Sequence, residues 1–292
     1  MSKSDLKEIL ARLERLQDEV VALQSSVDST RQLVGPFGVP FPDGTMLVQT
    51  IHGNKYFIDP SDLIMAPQLV IYRQWEADLS NLFRSLCGPD TVIADVGSNF
   101  GYFTILGASL IGQSGAGRVF AYEPNPELAS LVRRNIEVNW SLAPISFEEC
   151  AVATESGSVV LNIPEKHGAN ATLSAFVEGQ SGKSVEVQAK CLDDNLPSDV
   201  KLDLLKIDVE GHEFSVLRGA KDVISRSDRL AVVMEWSRPQ MQMAEVDPDE
   251  IASLLPGFIC HEIADDGSWQ DNARDHQWLL DQEYVNVLFT RI

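Results

Sequence analysis

Residues 4–34 place Leu6, Ile9, Leu13, Leu16, Val20, Leu23, Val27, Thr30 and Val34 in alternating steps of three and four. An α-helix gathers positions so spaced into one stripe. Read as heptads, Leu6, Leu13, Val20, Val27 and Val34 occupy a, and Ile9, Leu16, Leu23 and Thr30 occupy d. β-Branched a positions above leucine d positions favour a parallel two-stranded coiled coil. Residues 1–34 are therefore expected to form a self-association helix, with the parallel dimer favoured. An amphipathic helix folded against its own domain is the alternative. Gly35-Pro36-Phe37-Gly38 ends the pattern.

The period then changes. Residues 39–65 read as short strands around Pro42-Asp43-Gly44 and His52-Gly53-Asn54-Lys55, and residues 68–87 as a helix with Leu69, Tyr72, Trp75, Leu79, Leu82 and Leu86 on one face. From residue 91 apolar runs at 91–96, 118–123, 145–152, 202–207, 229–235, 258–263 and 284–290 alternate with helical patterns at 101–112, 126–139, 212–226 and 248–255. This alternation predicts an α/β domain with a seven-stranded, mostly parallel sheet covered on both faces. The polar, irregular connection before the last run suits an antiparallel final strand. An insertion at 155–192 holds a hairpin pattern (Ser158 to Ile163, Val185 to Lys190) and reads as a lid or substrate wall. The expected organisation is thus 1–34, an oligomerisation helix; 35–90, strands and a helix covering the active site; and 91–292, a cofactor-binding domain with the 155–192 insertion.

Charge and cysteine usage narrow the partners. A formal net charge of −20 over 292 residues would repel phosphate backbones, so nucleic acid is not an expected partner. Cys87, Cys150, Cys191 and Cys260 are far apart and form no C-x-x-C pair, which argues against a disulfide framework. With no apolar signal segment and no run long enough to cross a bilayer, a cytoplasmic protein is expected.

Candidate chemistry sits where apolar runs end. Asp95-Val96-Gly97-Ser98-Asn99-Phe100-Gly101 follows the first core strand, and Glu123 closes the second in Ala121-Tyr122-Glu123-Pro124-Asn125-Pro126. A glycine-bearing strand-to-helix turn lets the backbone approach a ligand closely. An acid at the second strand's tip is placed to accept both ribose hydroxyls of a nucleoside. A dinucleotide fingerprint needs glycine where Asn99 stands, so a pyrophosphate loses its closest backbone approach. That argues for a phosphate-free nucleoside such as S-adenosylmethionine over NAD.

Ala94–Thr104, Tyr122-Glu123-Pro124-Asn125-Pro126, Leu192-Asp193-Asp194 and Lys206-Ile207-Asp208-Val209-Glu210-Gly211-His212-Glu213 resemble, in order and spacing, FkbM-type methyltransferases. The similarity covers roughly residues 70 to 292 and leaves out the heptads. The resemblance implies a class I methyltransferase (Rossmann-like) fold and S-adenosylmethionine as cofactor. It also implies a hydroxyl acceptor on a sugar or a sugar- or polyketide-like natural product. It further implies that Asp95, Gly97, Asn99 and Gly101, with Ser98 among them, hold the methionine end. Glu123 would bind the ribose, Asn125 would lie beside the adenosine, and Ala151 within Glu149-Cys150-Ala151-Val152 would flank the adenine. Trp75-Glu76 resembles the aromatic–acid pair ahead of the family's cofactor motif, so Glu76 is either a site residue or a helix-surface acid.

Asp208, Glu210 and His212 follow the fourth core strand, at the sheet edge where open parallel sheets bind ligands. Methyl transfer to an alcohol needs a group to take the hydroxyl proton, and His212 titrates in a suitable range. Its alternative is to begin or pack the next helix, as Asp208's is to be a partnered buried carboxylate. Glu235 ends the fifth strand beside Trp236 and faces the same crevice. Asp208 and Glu235 are the oxygen ligands a Mg²⁺ would use. Metal-dependent members of the wider fold tend to pair acids here, and this chain has one, so a divalent metal is not supported. Trp236 would either stack on a sugar or seal the core, and His52 and His167 read as solvated loop histidines. The expected activity is an S-adenosylmethionine-dependent O-methyltransferase acting on a small-molecule or saccharide acceptor. A scaffold with a degenerate domain and an NAD-dependent oxidoreductase are the alternatives.

Overall fold

A computed structural model describes residues 3–33, 38–164, 171–174 and 181–291. In chain order the first elements are α1 (Lys3–Leu33), β1 (Val39–Pro40), β2 (Met46–Gln49), β3 (Lys55–Ile58), α2 (Met65–Pro67) and α3 (Ala77–Leu86). There follow β4 (Val92–Val96), α4 (Tyr102–Ile111), β5 (Arg118–Tyr122), α5 (Pro126–Val138), β6 (Ile145–Glu148), β7 (Ala151–Val152), β8 (Gly157–Pro164) and β9 (Gly182–Lys190). Next come α6 (Leu192–Asn195), β10 (Leu204–Ile207), α7 (Glu213–Arg218), α8 (Lys221–Arg226), β11 (Ala231–Ser237) and α9 (Arg238–Met243). The chain closes with α10 (Ile251–Leu254), β12 (Phe258–Glu262), β13 (Ala273–Arg274), α11 (His276–Asp281) and β14 (Tyr284–Arg291).

The central sheet runs β13-β12-β14-β11-β10-β4-β5-β6. β6, β5, β4, β10 and β11 pair in parallel, whereas β14 is antiparallel to both β11 and β12. Leaving aside the two-residue edge strand β13, the order is 3-2-1-4-5-7-6 with the seventh strand reversed. That is a class I methyltransferase sheet, and the order reverses direction between β4 and β10, which makes a crevice at their carboxyl ends.

Strand alternation divides the core into two layers. Ala94, Val96, Leu205, Ile207, Val232, Met234 and Trp236 pack one face with Phe214 and Leu217. Ile93, Leu204, Ala231, Val233 and Leu288 pack the other with Phe83, Phe103 and Leu106. α4 is apolar nearly all round and is buried between the sheet and α3. On that second face the alternation also places Asp95, Lys206 and Glu235. Three charged side chains on one buried face of adjacent strands are the fold's chief departure from an apolar core.

Four expected elements come out differently. The 68–87 helix is broken, because Arg73 (φ 57°) and Glu76 (φ 38°) adopt left-handed backbone and separate a π-turn at Gln68–Tyr72 from α3. The 145–152 run splits, its second half leaving the main sheet to pair with β9 in a three-stranded sheet β7-β9-β8. The 212–226 helix divides into α7 and α8 where Gly219 sits against the Ala153 carbonyl, too close for any Cβ. A 3₁₀ turn at Pro248–Glu250 precedes α10. The insertion hairpin forms from β8 and β9 and is longer than expected, with Val159 opposite Val187. α1 is helical, and its Leu13, Leu16, Val20 and Leu23 side chains remain at least half exposed in the single chain.

The β1–β3 sheet is fastened to the main domain by two asparagines, Asn135 of α5 and Asn139 at its C-cap. Asn135 accepts from the Phe57 amide (2.6 Å) and donates to the Phe57 and Phe100 carbonyls (3.2 and 2.7 Å). One turn on, Asn139 accepts from the Lys55 amide (2.9 Å) and donates to its carbonyl (2.6 Å). The amide side chains thus act as a strand edge presented by a helix, satisfying β3 backbone groups that would otherwise be left unpaired.

Candidate active site

The turn after β4 is built by positive-φ backbone at Gly97 (78°), Asn99 (54°) and Gly101 (91°). Glycine is required at 97, because a Cβ there would lie 1.8 Å from the Asp208 carbonyl oxygen. The turn and the end of β10 therefore close to backbone contact, which brings Asp208 beside the cofactor loop. The Gly97 and Ser98 amides donate to the Tyr122 carbonyl (3.0 and 2.9 Å), tying the turn to β5. Asn99 stabilises its own left-handed backbone by accepting from the Phe100 amide at 2.8 Å.

Glu123 is held from both sides. The Asn99 amide donates to Oε2 and the Asn125 amide to Oε1, each at 2.8 Å. Each oxygen keeps a second lone pair, and Glu123 lines the cleft while being only 5% exposed. Burial pushes its carboxyl up to about 8, against the two amide hydrogen bonds that favour the ion.

The cleft, about 260 Å³, runs from Cys150, Ala151 and Val152 at one end to Glu235 and Tyr284 at the other. Gly97, Ser98, Asn99, Glu123, Ala151, Asp208, Glu210, His212 and Glu235 all line it. Three other expected cofactor residues stand behind it. Asp95 is fully buried, accepts from the Thr104 hydroxyl and lies 3.9 Å from Lys206 Nζ. Gly101 caps α4 against Val132. Asn125 caps α5 by accepting from the Glu127 amide at 3.1 Å, so its part at the cleft is the amide that holds Glu123. The alternation of β4 explains Asp95, since its side chain points into the layer beneath α4.

Lys206 sits 3.1 Å from Asp208 and 5.2 Å above the Phe103 ring, with its side chain 4% exposed. Burial opposes its charge, yet Asp208, Asp95 and Glu76 hold it protonated above the ordinary lysine range. Its neighbours are acids. Burial followed by the charges of Asp208, Glu210, Glu213 and Glu76 pushes Glu235 up to about 9. Burial followed by Asp208 and Glu213 pushes Glu210 up to about 8, and burial followed by Asp208 pushes Glu76 up to about 7. Glu235 Oε2 accepts a long hydrogen bond from Tyr284 (3.4 Å), and its Oε1 has no partner. Glu76 Oε2 and the Ser98 hydroxyl are likewise buried, unpartnered and at the cleft.

His212 occupies the N-cap position of α7 without a side-chain cap bond. Its ring lines the cleft, with Nε2 3.1 Å from the Ser174 hydroxyl, and burial holds its pKa below the ordinary 6.5. Glu213, not His212, fastens the turn, accepting from the Val209 and Gly211 amides (3.2 and 3.1 Å). Glu210 accepts from Gln240 Nε2 at 2.5 Å. Thr172 and Ser174 of the insertion bond the Glu210 carbonyl and His212, so this segment lies directly on the turn after β10. Trp236 is fully buried in the opposite core layer and does not reach the cleft. His52 meets Arg84 away from the cleft, and His167 lies outside the described residues. Among the described residues no three His, Cys, Asp or Glu side chains converge as a metal-binding set.

Sequence reasoning passes over Lys206, Tyr284, Thr172 and Ser174. Lys206 alone carries a signal, as a lysine in the otherwise apolar strand Leu204-Leu205-Lys206-Ile207. Glu76 reaches the cleft because the left-handed residue breaks the helix that would have carried it to the surface.

A class I sheet with a glycine turn, a doubly held acid and an acid-lined crevice defines a nucleoside-dependent transferase architecture. Residues 95–262 match the Methyltransferase FkbM domain, and the chain belongs to that family. Methyltransferase 1 of Beauveria bassiana is 32% identical in an alignment 152 positions long that covers 46% of this chain and 59% of that protein. Hexuronic acid methyltransferase AglP of Haloferax volcanii is 27% identical over 182 residues, 62% of this chain and 67% of the relative. Among solved structures, Pyrococcus horikoshii TYW2 in complex with MeSAdo aligns at TM-score 0.45 and 11% identity, over 85% of this chain and 70% of that one.

Proposed function

We propose that this protein is an S-adenosylmethionine-dependent O-methyltransferase whose acceptor is a hydroxyl of a sugar, polysaccharide or glycosylated natural product. The observation that carries the cofactor reading is Glu123, which two backbone amides orient and which keeps lone pairs open at the cleft. The apolar segment Cys150–Val152 beside it suits an adenine, and the unpartnered Ser98 hydroxyl suits the polar methionine end. Both surroundings fit the cofactor. The name of the Haloferax relative supports a saccharide acceptor.

When bound, the cofactor supplies a methyl group on a sulfonium sulfur, which keeps the electron pair as the new carbon–oxygen bond forms. The chain's residues do the rest. Glu123 fixes the ribose, Gly97 and Asn99 the methionine end, and Asp208, anchored by Lys206, lies at the crevice between β4 and β10. His212 takes the acceptor's proton. In the tautomer that donates Nε2–H to Ser174, Nδ1 is the accepting nitrogen, and burial, which lowers the ring's pKa, favours the neutral form this role needs. Residues 1–34 serve self-association as a parallel coiled coil, consistent with the uncovered stripe on α1.

The test is transfer of a labelled methyl group from S-adenosylmethionine to a panel of glycans. Positioned bases contribute typically about 10²- to 10⁴-fold, so His212→Gln is expected to lower kcat by about that factor with cofactor affinity unchanged. For the wild type, kcat should fall only below pH 6.5, on the acid side of an unshifted histidine. A His212→Gln enzyme with wild-type kcat removes His212 as the base. Failure of every glycan removes the saccharide reading.

A further inference from the structure

The two ends of the cleft differ in what they lack. Glu123 and Cys150–Val152 line it beyond β5, whereas Glu235, Tyr284 and Glu76 line it at β11 and β14, on the far side of β10. The second group lies across the switch point from the nucleoside end and is the acceptor side. Asp62, Glu76, Glu123, Asp208, Glu210 and Glu235 bring six carboxyl groups to the lining, and Lys206 is the only described lysine or arginine there. Its charge is already engaged by Asp208 and Asp95, and by Glu76 at longer range.

Glu235 is 8% exposed and lines the cleft with Oε1 unpartnered, its other oxygen taking only the long bond from Tyr284. Glu76 Oε2 is buried at the same end without a partner, while the carboxyl as a whole meets the Asn286 side chain and the charge of Lys206. Among the described residues no cation other than Lys206 offsets these acids, so in the ligand-free protein burial and like charge keep the proton on Glu235. An ammonium at its open oxygen would supply the missing partner and let the buried carboxyl ionise. An acceptor bearing a carboxylate would add a like charge here.

We propose that the acceptor carries a protonated amine, as an amino sugar does, and that its ammonium sits against Glu235 and Glu76 beside the Tyr284 hydroxyl. The inference rests on the methyltransferase reading and specifies the acceptor class. It distinguishes this cleft from one serving a uronate, and it gives Glu235 a binding role, leaving the proton to His212.

The experiment titrates glucosamine, glucose and glucuronate, at a pH where the amine is protonated, into the full-length protein saturated with S-adenosylhomocysteine. Binding of S-adenosylhomocysteine, measured first, tests the underlying reading by itself. The expected order is glucosamine tightest and glucuronate weakest. In Glu235→Gln the glucosamine preference over glucose falls about tenfold, while affinity for S-adenosylhomocysteine is unchanged and reports an intact fold. Glucuronate binding as tightly as glucosamine, absence of an amine preference, or a Glu235→Gln protein that retains it would each overturn the proposal. So would a Glu235→Gln protein that loses the cofactor in place of the amine.

Discussion

At the scale of single residues, Lys206 anchors a cluster of carboxyl groups whose protonation is set by burial. Glu123, Glu210 and Glu235 are raised from 4.5 to about 8, 8 and 9. A carboxyl with a folded pKa above its unfolded one holds its proton more tightly when folded. Its stabilising effect is therefore complete below about pH 4.5 and is lost as pH rises through 8 to 9. The melting temperature of the ligand-free protein should thus fall between pH 5 and 9. A thermal scan across that range checks it, and a melting temperature that rises toward pH 9 would contradict the assigned environment. Much of this cluster was legible in the sequence, because Asp95, Glu123, Asp208, Glu210 and Glu235 all end or follow apolar runs. What the sequence could not separate was lining from support. Asp95 and Asn125 sit in matching motif positions, yet strand alternation buries one and helix capping occupies the side chain of the other.

At the scale of elements, periodicity located the strands of the main sheet within a few residues, since buried parallel strands are continuous apolar runs. It missed the breaks. The 68–87 pattern is helical on both sides of Arg73–Glu76, and only the left-handed backbone at two non-glycine residues interrupts it. Nor does a local pattern announce that Asn135 and Asn139 would pair with β3, as that contact spans 78 to 84 residues of sequence. An unsatisfied buried backbone group costs about 1–3 kcal/mol, and Asn135→Ala frees groups on both Phe57 and Phe100. We expect Asn135→Ala to lose more than about 2 kcal/mol in urea unfolding and to admit protease within residues 39–65 first. A variant with wild-type stability and cleavage would show that the β1–β3 sheet is held by other contacts.

At the scale of the whole molecule, the sheet places one cleft where its strand order reverses, and segments from before β4, within the insertion and after β11 all reach it. The heptads lie apart from this cleft. Deleting residues 1–34 should convert a dimer to a monomer in light-scattering mass measurements, and an unchanged mass would sink the coiled-coil proposal. The central claim concerns the cofactor, and calorimetric titration with S-adenosylhomocysteine tests it most directly. One site per chain is expected, with no heat from NAD. Glu123→Gln, whose amide cannot accept from Asn99 and Asn125 with both ends, should weaken affinity about tenfold or more, as loss of the hydrogen bonds that orient this side chain implies. No binding of S-adenosylhomocysteine, or equal binding by Glu123→Gln, would contradict the account.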